Sequence, residues 1–145
     1  MNAFRFTLQR ALEWRRLQLE MEEQNFRQQA AKLDAIDRAS AEMTAAGDSA
    51  EKQIRVWNPV VGGELSALGC YRLHVKLKET ELARTRAECR KELLRRENLM
   101  LEARRRVRLL ERLREKRMEE WTEAQAKELE ELAADAYLAK WKQRG

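Results

Sequence analysis

EARRRVRLLERLREKRMEEWTEAQAKELEELAAD, residues 102–135, decides what kind of fold this chain can adopt. It holds no glycine and no proline, and nearly every residue is a good helix former. Arg104, Arg108, Arg112 and Lys116 recur at four-residue spacing, so on a helix they stack into one basic stripe. Like charges at that spacing oppose an isolated helix by roughly 0.2–0.5 kcal/mol per pair. A sequence that keeps such a stripe is either well solvated or built for an acidic partner. From Glu119 the sign reverses: Glu119, Glu120, Glu123, Glu128, Glu130, Glu131 and Asp135 meet only Lys127 before Lys140. One helix thus carries a basic block and then an acidic block. Leu110 and Leu113 mark an apolar seam through the basic block, with Val107 and Trp121 on a neighbouring row.

Composition points the same way beyond this stretch. Charged residues make up 38% of the chain and aromatic residues 6%, a balance that suits long helices or a coiled coil rather than a thick core. The formal net charge of +5 permits nucleic acid, anionic lipid or an acidic protein as partner and chooses none of them. Cys70 and Cys89 are the only cysteines. On one continuous helix they stand roughly 28 Å apart, too far for a disulfide, so free thiols and a reducing compartment are expected. The N-terminal residues lack the apolar core of a signal peptide, and no window is apolar enough to span a bilayer.

Leu12, Leu19, Phe26, Leu33 and Ser40 repeat every seven residues, accompanied by Leu8, Arg15, Glu22, Gln29, Ile36 and Met43. The first series is mostly apolar and the second is broken in its middle, which describes an imperfect helical seam. It predicts a first helix from about residue 4 to about residue 46. All helix breakers except the terminal glycine fall between Gly47 and Gly69. Asp48 with Glu51 reads as a capping box opening a separate short helix. Equally, Gly47, Ala50, Ile54 and Trp57 extend both series, so the first helix could run on to Trp57. In either version the chain reverses at residues 58–63, which include Pro59, Gly62 and Gly63. A second helix follows from about residue 64 to about residue 143, roughly 120 Å of helix. Its seam begins as Leu68, Val75, Leu82 and Cys89 and then shifts to Leu93, Met100 and Val107, a four-residue step that predicts a stutter. The fold expected is all-α, a single coiled-coil domain of two long antiparallel helices forming a hairpin. Pairing about the reversal brings together residues whose numbers add to roughly 120. Phe4 and Leu8 then meet Leu113 and the basic stripe, with Phe6, Leu12 and Leu110 packing at the same end.

No catalytic signature is present, so a non-enzyme without cofactors is expected. His74 is the only histidine, and no Cys/His cluster has metal-ligand spacing. No glycine-rich phosphate loop occurs, and a two-helix rod offers no cavity to desolvate its carboxylates. The basic stripe has three readings: a solvated face, a nucleic-acid contact, or a dock for an acidic protein. The Glu-rich run that follows would repel phosphates, whereas a bipolar helix suits docking in one orientation. Leu68, Tyr71 and Val75 share a face just after the reversal, where packing on the first helix near Ile54 and Trp57 competes with a role as a partner surface. Trp14 and Trp57 read as packing residues.

Phe4-Arg5-Phe6-Thr7-Leu8, then Leu12 and Arg15 before a Glu-rich helix, is similar to the start of FliJ proteins, small components of the bacterial flagellar type III export apparatus. The closer match is Glu102-Ala103-Arg104-Arg105-Arg106, followed by Leu110-Glu111-Arg112-Leu113-Arg114-Glu115-Lys116-Arg117, Trp121, and Glu128-Leu129-Glu130-Glu131-Leu132-Ala133. FliJ proteins commonly show Leu-Glu-Lys-Leu-Arg-Glu-Arg-Arg, an aromatic, and Glu-Leu-Asp-Glu. Both helices share the family layout, and residues 47–69 depart from it. The resemblance implies an antiparallel two-helix coiled coil like the stalk of rotary ATPases and of the related YscO-like proteins. It implies docking on the hexameric export ATPase, a link to the membrane export gate, and handling of unloaded export chaperones. It places the chain in the cytoplasm, peripheral at the inner membrane, in flagellum biogenesis and motility. The docking residues it implies are Arg104, Arg108, Arg112, Lys116, Arg117 and Trp121, and the gate contacts Leu68, Tyr71 and Val75. The competing expectations are a basic helix that binds nucleic acid and a purely structural homo-oligomeric coiled coil.

Overall fold

A computed structural model describes residues 3–56 and 62–144, with the backbone alone at 62–65. Helix α1 spans Gln9–Val56 and helix α2 spans Gly62–Arg144. The described residues contain no strand, and the fold is an all-α antiparallel helical hairpin. The reversal expected at 58–63, with Trp57 and Pro59, falls largely outside the described residues.

Helix α1 begins at Gln9 rather than near Phe4. Residues 3–6 are non-helical, the Gln9 N–H closes a turn on the Phe6 carbonyl at 3.1 Å, and the Leu12 N–H bonds the Leu8 carbonyl at 2.9 Å. Phe4 and Phe6 are both half-buried with Arg5 exposed between them. Positions two apart point to one side of an extended chain but to nearly opposite sides of a helix. Extended backbone therefore lets both rings reach the same surface. At its other end α1 continues through Gly47 and Asp48 to Val56, so Asp48 opens no new helix. Gly47, Ala50 and Ile54 are half-buried and continue the heptad rows. The helix runs on through Gly47 although a mid-helix glycine costs roughly 1 kcal/mol.

The chain divides into two compact units, Met1–Glu20 with Glu102–Gly145 and Met21–Leu101. In the first, the start of the chain and α1 run antiparallel to α2. Phe4 meets Trp121 with ring centroids 6.1 Å apart and planes at 60°. Arg16 Nη2 donates to Glu111 Oε1 at 3.2 Å. Phe4 thus pairs about two turns beyond Leu113, the neighbour expected from the sequence. The offset is already present inside the helices, where Arg16 pairs with Glu111, so it belongs to the register of α1 on α2 rather than to the extended run. Leu12 is 0% exposed, and Ala103 and Val107 are buried in the same unit. The Nε of Arg114 is buried without a hydrogen-bond partner.

The second unit pairs Gln29 with Cys89, Asp37 with Arg86, and Glu51 with Arg72, again antiparallel. The Gln29 Nε2 amide donates to the Cys89 carbonyl at 3.3 Å and to its Sγ at 3.2 Å. Among the described residues of this unit, Cys89 and Met100 are the buried ones. Both cysteines are free thiols, Cys70 exposed and Cys89 buried. Glu22 has one buried carboxylate oxygen without a partner.

Burial along α2 removes the expected stutter. Among the shielded positions, Leu82, Arg86, Cys89, Leu93, Arg96 and Met100, then Ala103, Val107, Leu110, Arg114 and Trp121, form one pair of rows. They alternate in steps of three and four, apart from one missing position before Trp121. The step from Cys89 to Leu93 is an ordinary move between the two rows of one seam. The rows looked discontinuous because Arg86, Arg96 and Arg114 occupy seam positions. The aliphatic stems of Arg86 and Arg96 line the seam while their guanidinium groups reach Asp37 and Glu92 at its edge, whereas the Arg114 Nε stays buried.

Candidate docking surface

Four-residue steps advance about 40° around a helix, so the basic stripe winds slowly as it climbs α2. Arg104, at its start, is half-buried, whereas Arg108, Arg112 and Lys116 are exposed, as is Arg117 on another row. The acidic residues interleaved with the stripe are partly spoken for. Glu102 accepts from Arg106 at 2.8 Å and Glu111 from Arg16 at 3.2 Å. Among the described residues Arg108, Arg112, Lys116 and Arg117 make no ion pair, so their charge faces solvent undiminished by a salt bridge. Trp121 is half-buried against Phe4, an arrangement that holds the extended N-terminal run to α2. The other residues expected to pack at this end, Phe6, Leu110 and Leu113, are half-buried, while Leu8 is 41% exposed.

Just past the stripe lies a feature the sequence reading passed over. Glu115, Met118, Glu119, Thr122, Glu123 and Ala126 line an open cleft of about 560 Å³. Met118, Thr122 and Ala126 step by four, so the helical period could have shown this face beforehand. The cleft therefore opens where the basic stripe gives way to the acidic run, whose Glu119 and Glu123 line it. From residue 126 to the end of α2 every described residue is exposed, including Leu129, Leu132, Tyr137, Leu138 and Trp141. The Trp141 Nε1–H donates to the Tyr137 hydroxyl at 3.1 Å.

Leu68, Tyr71 and Val75 belong to the second unit. Leu68 and Val75 are half-buried and Tyr71 is 37% exposed. Tyr71 and Val75 line a cleft of about 280 Å³ with Met43 and Gly47 of α1, and Arg72 bonds Glu51 at 3.0 Å on its rim. Trp14, expected to pack, is 56% exposed, and Arg15 lies over its ring at 4.7 Å. The guanidinium covers part of an indole that otherwise faces solvent.

Glu92 is a clearly perturbed carboxylate. Hydrogen bonding from Arg95, and secondarily the charge of Arg95 and Arg96, holds Glu92 below the usual glutamate range. Arg95 is pushed up in return, chiefly by the same hydrogen bond. These exposed groups hold α2 together along its own length and build no cavity for acid–base chemistry. Among the described residues no group of three His, Cys, Asp or Glu side chains could hold a metal ion. No described helix is long and apolar enough to cross a membrane. In comparisons with known proteins, no family model, no curated protein and no solved structure matches this chain.

Proposed function

We propose that this chain is a non-catalytic coiled-coil stalk of a flagellar-type export apparatus. It docks on the hexameric export ATPase and couples it to the membrane export gate. The observation that carries the reading is the row of exposed cations at Arg108, Arg112 and Lys116, without ion pairs among the described residues and followed along α2 by the acidic run from Glu119. A basic face of this kind attracts an acidic protein surface, and the acidic run beside it fixes the direction of approach. Nucleic acid is the weaker reading because the same acidic run opposes a phosphate backbone continuing along the helix. In the stalk reading, an asymmetric hairpin inside a symmetric ring contacts its subunits unequally and so biases their conformations. Leu68, Tyr71 and Val75 supply the surface toward the gate, and export chaperones are further partners of the same assembly.

The test is titration of purified export ATPase with wild-type protein and with the Arg108→Glu, Arg112→Glu, Lys116→Glu triple variant. The stalk reading expects binding that weakens as salt rises and that is lost in the triple variant while its helicity by circular dichroism is unchanged. Micromolar binding of duplex DNA at physiological salt, with no binding to the ATPase, replaces this reading with the nucleic-acid one.

A further inference from the structure

The second unit is not uniformly held. In residues 83–101, Cys89 and Met100 are buried, and the Gln29 side chain donates to both the carbonyl and the Sγ of Cys89. Across residues 40–56 and 66–82 no described residue is buried; Met43, Ile54, Leu68, Val75 and Leu82 are half-buried at best. The hydrogen bond between the helices there is Arg72 to Glu51, an exposed ion pair of the kind that adds little. Gly47 and Gly69 both sit inside helices, and at each a Cβ would meet nothing within 4 Å. Neither glycine is required by close packing, so each weakens its helix without a compensating contact. The cleft between Met43, Gly47, Tyr71 and Val75 removes packing at the same level.

We infer that these two segments form a conformational device: residues 40–56 of α1 and 66–82 of α2 part reversibly while the layer around Cys89 and Met100 stays closed. Opening bares Met43, Ile54, Leu68, Val75 and Leu82 without unfolding the rest of the unit. Sparse burial, few bonds between the helices and a local packing defect mark the low-stability end of a fold. This inference concerns the hairpin alone and stands whether or not the ATPase is its partner.

Hydrogen exchange read by mass spectrometry on the full-length protein tests it, in water and in sub-denaturing urea. Amides of residues 40–54 and 68–82 should exchange at least about tenfold faster than those of 93–100. Their rates should be nearly flat in urea, because little surface is exposed, while those of 93–100 rise steeply. The Gly47→Ala, Gly69→Ala double variant should slow exchange in the first set by about fivefold per glycine. In wild-type protein Cys70 should react with a thiol reagent far faster than Cys89. Equal protection and equal urea slopes in the two sets, or Cys89 labelling as fast as Cys70, would overturn the inference.

Discussion

Truncating Leu12 to alanine asks whether the first unit is held by packing. Leu12 is 0% exposed, on a helix where most residues are half-buried or exposed. The change removes three buried carbon groups, worth about 0.8 kcal/mol each and about 2.4 kcal/mol together. The cavity left behind adds to this, as leucine truncations in cores cost about 2–5 kcal/mol. Alanine's better helix propensity returns only about 0.2 kcal/mol. A seam one layer deep collapses more readily than a thick core, so the expected loss is about 3 kcal/mol, toward the low side of that range. Leu17→Ala is the control, because Leu17 is 60% exposed and its truncation should cost about 0.5 kcal/mol or less. Urea unfolding followed by circular dichroism reads both. A loss below about 1 kcal/mol for Leu12→Ala, or losses of equal size at the two sites, would refute the packing argument.

Further expectations follow from single side chains. Glu22 carries a buried oxygen without a partner, so Glu22→Leu should raise the urea midpoint, by about 1–2 kcal/mol in stability; a fall in the midpoint would show that the carboxylate is satisfied. Glu92 is held below the usual glutamate range by its bond to Arg95, so the stability it lends is present above the ordinary range and is lost as pH falls through the lowered value. A carboxyl titration by NMR should find its midpoint below that of an ordinary glutamate, and a midpoint at or above it contradicts the bond. Tyr71 is 37% exposed, so Tyr71→Ala should cost well under the about 3 kcal/mol lost at a buried aromatic. A full-sized loss would return Tyr71 to the core.

The helical period made most of the fold legible. Leu12, Leu19, Phe26 and Leu33 are shielded along α1 as their seven-residue spacing requires, and even Arg15, Glu22 and Gln29 keep their seam positions. What stayed hidden are tertiary choices that override local signals. Asp48 with Glu51 has the composition of a helix start, yet the seam carries α1 straight through it. Arginines inside the α2 seam disguised one continuous pair of rows as two. The extended run at Phe4 and Phe6 depends on a surface far along the chain, which no local rule sees. At the candidate surface, the four-residue spacing showed the stripe but not which cations are spent. That Arg104 turns toward the seam while Arg108 and Arg112 stay in solvent follows from the slow winding of such a row.

The most direct test of the docking claim is quantitative affinity capture from the native cell, comparing wild-type protein with the Arg108→Glu, Arg112→Glu, Lys116→Glu variant at equal abundance. Wild-type protein should recover the flagellar export ATPase, and the triple variant should lose it. Recovery of the ATPase in equal amount by both proteins, or of nucleic acid in its place, would contradict the account.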